Sequence, residues 1–69
     1  MKISERNQWK GKVVSTEKGA VNGIVKLDIG GGNVGSATIS MSAISELGLK
    51  EGSAAVAIVK ATSVMIGVE

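Results

Sequence analysis

Met41, Ile44 and Leu47 recur at helical spacing in a chain whose other apolar residues fall into short strand-like segments. This one change of period constrains the fold more than any other feature. Ser40 or Ser42 can cap the short helix it predicts, and Gly48 can stop it as a left-handed residue. Three strand-like segments precede the helix. Gln8 to Thr16 alternates loosely, with Trp9, Gly11 and Val13 on one face and Lys10 and Lys12 on the other. Glu17-Lys18-Gly19-Ala20 reads as a turn. Val21 to Ile29 then places Val21, Val25, Leu27 and Ile29 on one side, and Gly23 interrupts that face, which predicts a bulge or a close backbone approach. Gly30-Gly31-Gly32-Asn33 is a tight hairpin connection to a third strand, Val34 to Ser40. After the helix come an almost continuous apolar strand, Ala54 to Val59, a break at Ala61-Thr62, and a final strand, Ser63 to Val68. Three strands, a helix and two strands predict an all-β, five-stranded barrel of the oligonucleotide/oligosaccharide-binding (OB) type. In such a barrel the short helix lies between strands three and four. An SH3-like small barrel fits the helix position less well.

The 69 residues suffice for one small domain, residues 1–69. A domain of this size buries only about 60% of its unfolded surface, so an isolated core is marginal. The chain has no Cys for a disulfide and, lacking His as well, no typical zinc ligands; Trp9 is the only aromatic residue. Yet 43% of the chain is hydrophobic, mostly Val, Ile, Ala and Leu. Burial against further copies of the same chain is the expected reinforcement. Eight basic and six acidic residues leave a net charge of only +2, too little for a nucleic-acid-scale electrostatic footprint. The first residues have no apolar run behind their charges, so they do not read as a signal peptide. No stretch approaches the roughly 18 apolar residues of a membrane span. A soluble, cytoplasmic protein with no membrane partner is expected.

Catalysis has few candidate groups. Without His or Cys, and with Glu17, Asp28, Glu46 and Glu51 in turns, on a polar strand face or near helix ends, the chain does not read as an enzyme. The glycine run joins two strands and lacks the Gly-Lys-Ser/Thr ending of a phosphate loop. Binding chemistry is better represented. Ser4 and Arg6 precede the first strand and, in an extended segment, would project to the same side while Glu5 points away. Lys60 ends the apolar run Ala54 to Val59, and Ser40 stands where a strand becomes a helix, beside free amides that favour anions. Each has a plain structural role as well: a solvated terminus, a snorkelling lysine, an ordinary cap. Together they offer two cations, hydroxyls and amides, a set suited to a tetrahedral dianion. A single-stranded nucleic-acid binder on the same barrel would need more aromatic platform than Trp9 alone. A structural or regulatory assembly module is the other alternative.

Ser4-x-Arg6-Asn7-Gln8-Trp9-x-Gly11-x-Val13 resembles the opening signature of the molybdate-binding Mop domain, the domain of the molbindins. The resemblance continues through Ile39-Ser40, Leu47-Gly48-Leu49-Lys50-Glu51-Gly52 and Val59 to Ile66, and so spans essentially the whole chain. It implies the same five-stranded barrel and assembly into hexamers, as trimers of dimers. It implies no cofactor and no metal–side-chain coordination, but a bound oxyanion, molybdate or tungstate, held between subunits for storage. By resemblance, Ser4 and Arg6 of one subunit would meet Ser40, Lys60 and the Ala61 segment of a neighbour, with the backbone near Ala43 adding an amide. A second type of oxyanion site would draw on Lys18-Gly19-Ala20-Val21-Asn22. Two departures from the family pattern stand out. Glu5 replaces a small neutral residue, and Ala43 stands where some members place a serine.

Overall fold

Hydrogen-bonding and backbone requirements of individual residues account for the elements of the computed structural model, which describes residues 2–69. The elements are β1 (Gln8–Glu17), β2 (Asn22–Gly30), β3 (Asn33–Ser40), α1 (Met41–Leu47), β4 (Ala54–Ile58) and a 3-10 turn at Ala61–Ser63. The β2–β3 hairpin turns on Gly30, Gly31 and Gly32, all at positive φ, a region that L side chains rarely enter. Asp28 accepts from the Gly30 amide at 2.9 Å, and the Asn33 side chain donates to the Gly30 carbonyl at 3.2 Å. Helix α1 starts at Ser40, whose hydroxyl accepts from the Ala43 amide. It ends at Gly48, φ 64°, with Gly48 N–H donating to Ser45 and Leu49 N–H to Ile44, the pattern of a Schellman stop.

The strands form one antiparallel sheet in the order β3-β2-β1-β4. β1 serves two partners. Its first half, Gln8 to Lys12, pairs with β4, and the stretch from Lys12 to Glu17 pairs with β2. The register shifts between Val13 and Ser15, so the bulge that bends the sheet lies in β1 rather than at Gly23. Gly23 answers to the other expectation, a close approach. A Cβ there would stand 2.7 Å from both the Glu17 carbonyl oxygen and Ile44 Cδ1. Its bare backbone lets α1 settle over one end of the curled sheet. Val13, Val25, Leu27 and Ile44 form the buried core, with Ile29, Ile39, Met41 and Leu49 partly buried around them. Val21 does not share this inner face as its spacing suggested; it precedes β2 and is exposed.

The fifth strand expected over Ser63 to Val68 is not formed. Ser63 closes the 3-10 turn, and residues 64–69 carry no regular structure. Met65, Ile66 and Val68 are 91%, 88% and 94% exposed. A strand exists only through the edge it pairs with, and this segment leaves the sheet after Ala61–Ser63. The outer edges of β3 and β4 thus stay unpaired, and the sheet is a half-barrel of four strands with one short helix. Its concave face is a groove of about 720 Å³ bordered by Trp9, Leu27, Ile39, Ala55 and Ala57.

Gly23→Ala should destabilise the fold by about 1–3 kcal/mol, the cost of overpacking a tight site. Urea denaturation in the absence of added anions measures it; an unchanged midpoint would mean that α1 does not press on β2.

Candidate functional site

The polar residues singled out by the sequence fall into two groups. The first is built where the N-terminal segment runs beside the end of β4. Gln8 pairs with Ile58, and the Val59 amide donates to the Asn7 carbonyl at 2.9 Å. Arg6 and Lys60 each lie one residue beyond that bond, so one chain brings their backbones together. Ser4 lies just upstream of this junction and Ala61 just downstream, and all four residues are exposed. Residues 4–6 are not a strand. The chain bends at Ser4 and Arg6, so alternation does not set their directions. The Glu5 carboxylate accepts from the Arg6 backbone amide at 3.3 Å. The Gln8 side-chain amide donates to the Glu5 carbonyl and ties the bend to β1.

The second group gathers at the junction of β3 and α1. Ser40 pairs with Asn22, and the Met41 amide donates to the Val21 carbonyl at 2.8 Å. This places Ser40 against the Lys18-Gly19-Ala20-Val21-Asn22 turn, which sequence reasoning assigned to a separate site. Ser40 Oγ accepts from the Ala43 amide at 3.1 Å, so in the isolated chain that amide is engaged by the cap. Ser42 Oγ stands 3.3 Å from Ser40 Oγ and adds a second hydroxyl. Ser42 was weighed only as an alternative cap; the Ser-Met-Ser spacing was the available signal. Lys18 borders a shallow cleft of about 320 Å³ with Met41, Ile44 and Lys50.

The two groups do not meet. Ser40 belongs to one edge of the sheet, at the Glu17 end of β1, and Lys60 follows the opposite edge, at the Gln8 end. The ten residues of β1 run between the two levels, and among the described residues no hydrogen bond links one group to the other. Neither group offers a metal-binding set: no cluster of three or more His, Cys, Asp or Glu residues occurs among the described residues.

The family model described as the TOBE domain matches residues 3–66. The chain belongs to the TOBE-domain family. Within it the chain sits with the Mop proteins, as the opening signature indicated. It is 67% identical over 69 residues to a probable molybdenum-pterin-binding protein of Haemophilus influenzae, all of both chains being covered. Among solved structures, MopII from Clostridium pasteurianum in an apo form superposes with a TM-score of 0.91 at 51% identity, covering 97% of this chain and all of that one. The cytoplasmic molybdate-binding protein ModG, with molybdate bound, gives a TM-score of 0.93 at 40% identity, covering all of this chain and 49% of ModG. These relatives are binding proteins, not enzymes. No helix among the described residues of this TOBE-domain chain is long and apolar enough to cross a membrane.

Ser40→Ala should cost about 1 kcal/mol through loss of the α1 cap, and Ser40→Asp should recover most of it. Chemical denaturation of the two variants checks this. Equal losses in both would show that the hydroxyl does something other than capping.

Proposed function

We propose that this chain is a cytoplasmic storage protein that binds molybdate, or the similarly sized tungstate, as an intact oxyanion between copies of itself. The observation that carries the reading is the separation of complementary halves. Ser4, Arg6, Lys60 and Ala61 stand at one end of the sheet, and Ser40, Ser42 and Ala43 at the other. The first half supplies both cations, Arg6 and Lys60, with the Ser4 hydroxyl and the Ala61 amide; the second adds the Ser40 and Ser42 hydroxyls and the Ala43 amide. Two copies packed with unlike ends together would supply both. The relatives' names, ModG's bound molybdate and its cytoplasmic description support the same ligand and compartment.

In this arrangement the 1–69 domain adopts the closed five-stranded barrel only within the assembly, a hexamer built as a trimer of dimers. Arg6 and Lys60 offset the two negative charges through charge-assisted hydrogen bonds, and the Ala61 amide and Ser40 hydroxyl donate to the remaining oxygens. The pairing of Asn7 with Val59 brings the backbones of Arg6 and Lys60 together in one chain, which supports a site whose two cations come from one subunit and whose Ser40 comes from the neighbour. The Lys18–Asn22 turn forms a weaker second class of oxyanion site, with Lys18 its one cation. Sulfate has the same charge and shape, so discrimination rests on cage size: donors set for the larger anion stand too far from sulfate oxygens. No bond is made or broken, and no cofactor takes part.

Isothermal titration with molybdate, and with sulfate in parallel, tests the reading. Saturable heat with molybdate alone is expected. Arg6→Ala and Lys60→Ala should each weaken binding roughly 10- to 100-fold, as loss of a hydrogen bond from a charged donor does. A folded protein that takes up neither anion, or variants that bind as tightly as the parent, would overturn it.

A further inference from the structure

Gln8 is exposed, and both its backbone and its side chain donate to the main chain just upstream. Its backbone amide donates to the Arg6 carbonyl at 3.1 Å, and its side-chain amide donates to the Glu5 carbonyl. The loop from Glu5 to Gln8 encloses Arg6, and the tighter one from Arg6 to Gln8 lies inside it. The Glu5 carboxylate adds a third bond, from the Arg6 amide at 3.3 Å. The Glu5–Arg6 peptide is thus held at its carbonyl and at its amide, and Arg6 is held at its own carbonyl as well.

Gln8 is also where these loops meet the sheet. It opens β1 and pairs with Ile58 of β4. One residue upstream, the Asn7 carbonyl takes the Val59 amide at 2.9 Å, and Lys60 follows directly. The same short stretch of ladder therefore carries the lysine and anchors the bend that carries the arginine.

Burial does not account for a glutamine at this exposed position. Its chemistry suits the bend. A lysine or arginine there could donate to the Glu5 carbonyl but would compete with Arg6 for an anion. An ionised glutamate could not donate at all and would repel the anion. A neutral amide holds the carbonyl without either effect. A guanidinium on an untied segment must give up main-chain freedom when it meets a ligand, and affinity falls by that cost. Tying the main chain beforehand removes part of it.

We propose that Gln8 is a positioning residue for oxyanion binding, its side-chain amide holding the bend that presents Arg6 beside Lys60. The inference rests on the proposed oxyanion site and adds to it a residue that acts through Arg6.

A double-mutant cycle with Arg6→Ala tests it, read by equilibrium dialysis of the full chain against molybdate. Gln8→Met keeps the side-chain length and removes the donor. Gln8→Asn keeps the donor and withdraws it by one methylene. Each should weaken molybdate binding about 3- to 10-fold in the parent chain, as loss of a neutral hydrogen bond does. Neither should weaken it further in the Arg6→Ala background, and urea midpoints should stay near the parent's. Variants that bind like the parent, or that lose the same factor with and without Arg6, overturn the positioning role and leave the oxyanion reading intact. Variants that both fail to fold make Gln8 a folding residue and overturn it too. Parent protein that takes up no molybdate removes the oxyanion reading, and this role with it.

Discussion

The gap between the free edges of β3 and β4 governs the rest of this structure. Four strands curl far enough to make a concave apolar face but not to close it. Among the described residues, the buried hydrophobic ones are Val13, Val25, Leu27 and Ile44. With no cysteine, one aromatic residue and, among the described residues, no metal-binding cluster, the proposed assembly would supply burial that one chain lacks.

That incompleteness and the placement of the polar groups have one origin. β1 serves both halves of the sheet, so its two ends carry different neighbours: the N-terminal bend and the Lys60 turn at one, the β3–α1 junction at the other. A site for a small dianion cannot be assembled along the length of a strand. It can be assembled where the cationic end of one copy meets the hydroxyl end of another. Burial and anion binding then become coupled, since whatever brings the chains together also completes the cage, and the anion in turn favours the assembled state.

Much of this was legible in the sequence because it depends on local rules. The Met41–Ile44–Leu47 spacing, the Ser40 cap and the Gly48 stop specify α1 without reference to the rest of the chain. Period-two patterning and the three glycines place the first three strands within a residue or so of where they lie. What failed was non-local. Ser63 to Val68 has the pattern of a strand, but pattern does not supply the sheet edge that a strand must pair with. Gly23 announced a special position without saying whether the bulge lay there or across the sheet in β1, which depends on how α1 docks. Alternation does not govern residues 4–6, because the chain bends at Ser4 and Arg6. The candidate site was half legible: its residue types stood out, but their division into two remote groups follows from sheet order, which no spacing reveals.

If a site between chains holds the anion, binding and assembly are one event. Sedimentation velocity across a dilution series, with and without saturating molybdate, tests this coupling. Molybdate should hold the assembly together at dilutions where the anion-free protein dissociates. Binding should be lost when the chains come apart. Dissociated single chains that still bind molybdate saturably, or an assembly whose dissociation is indifferent to the anion, would contradict it.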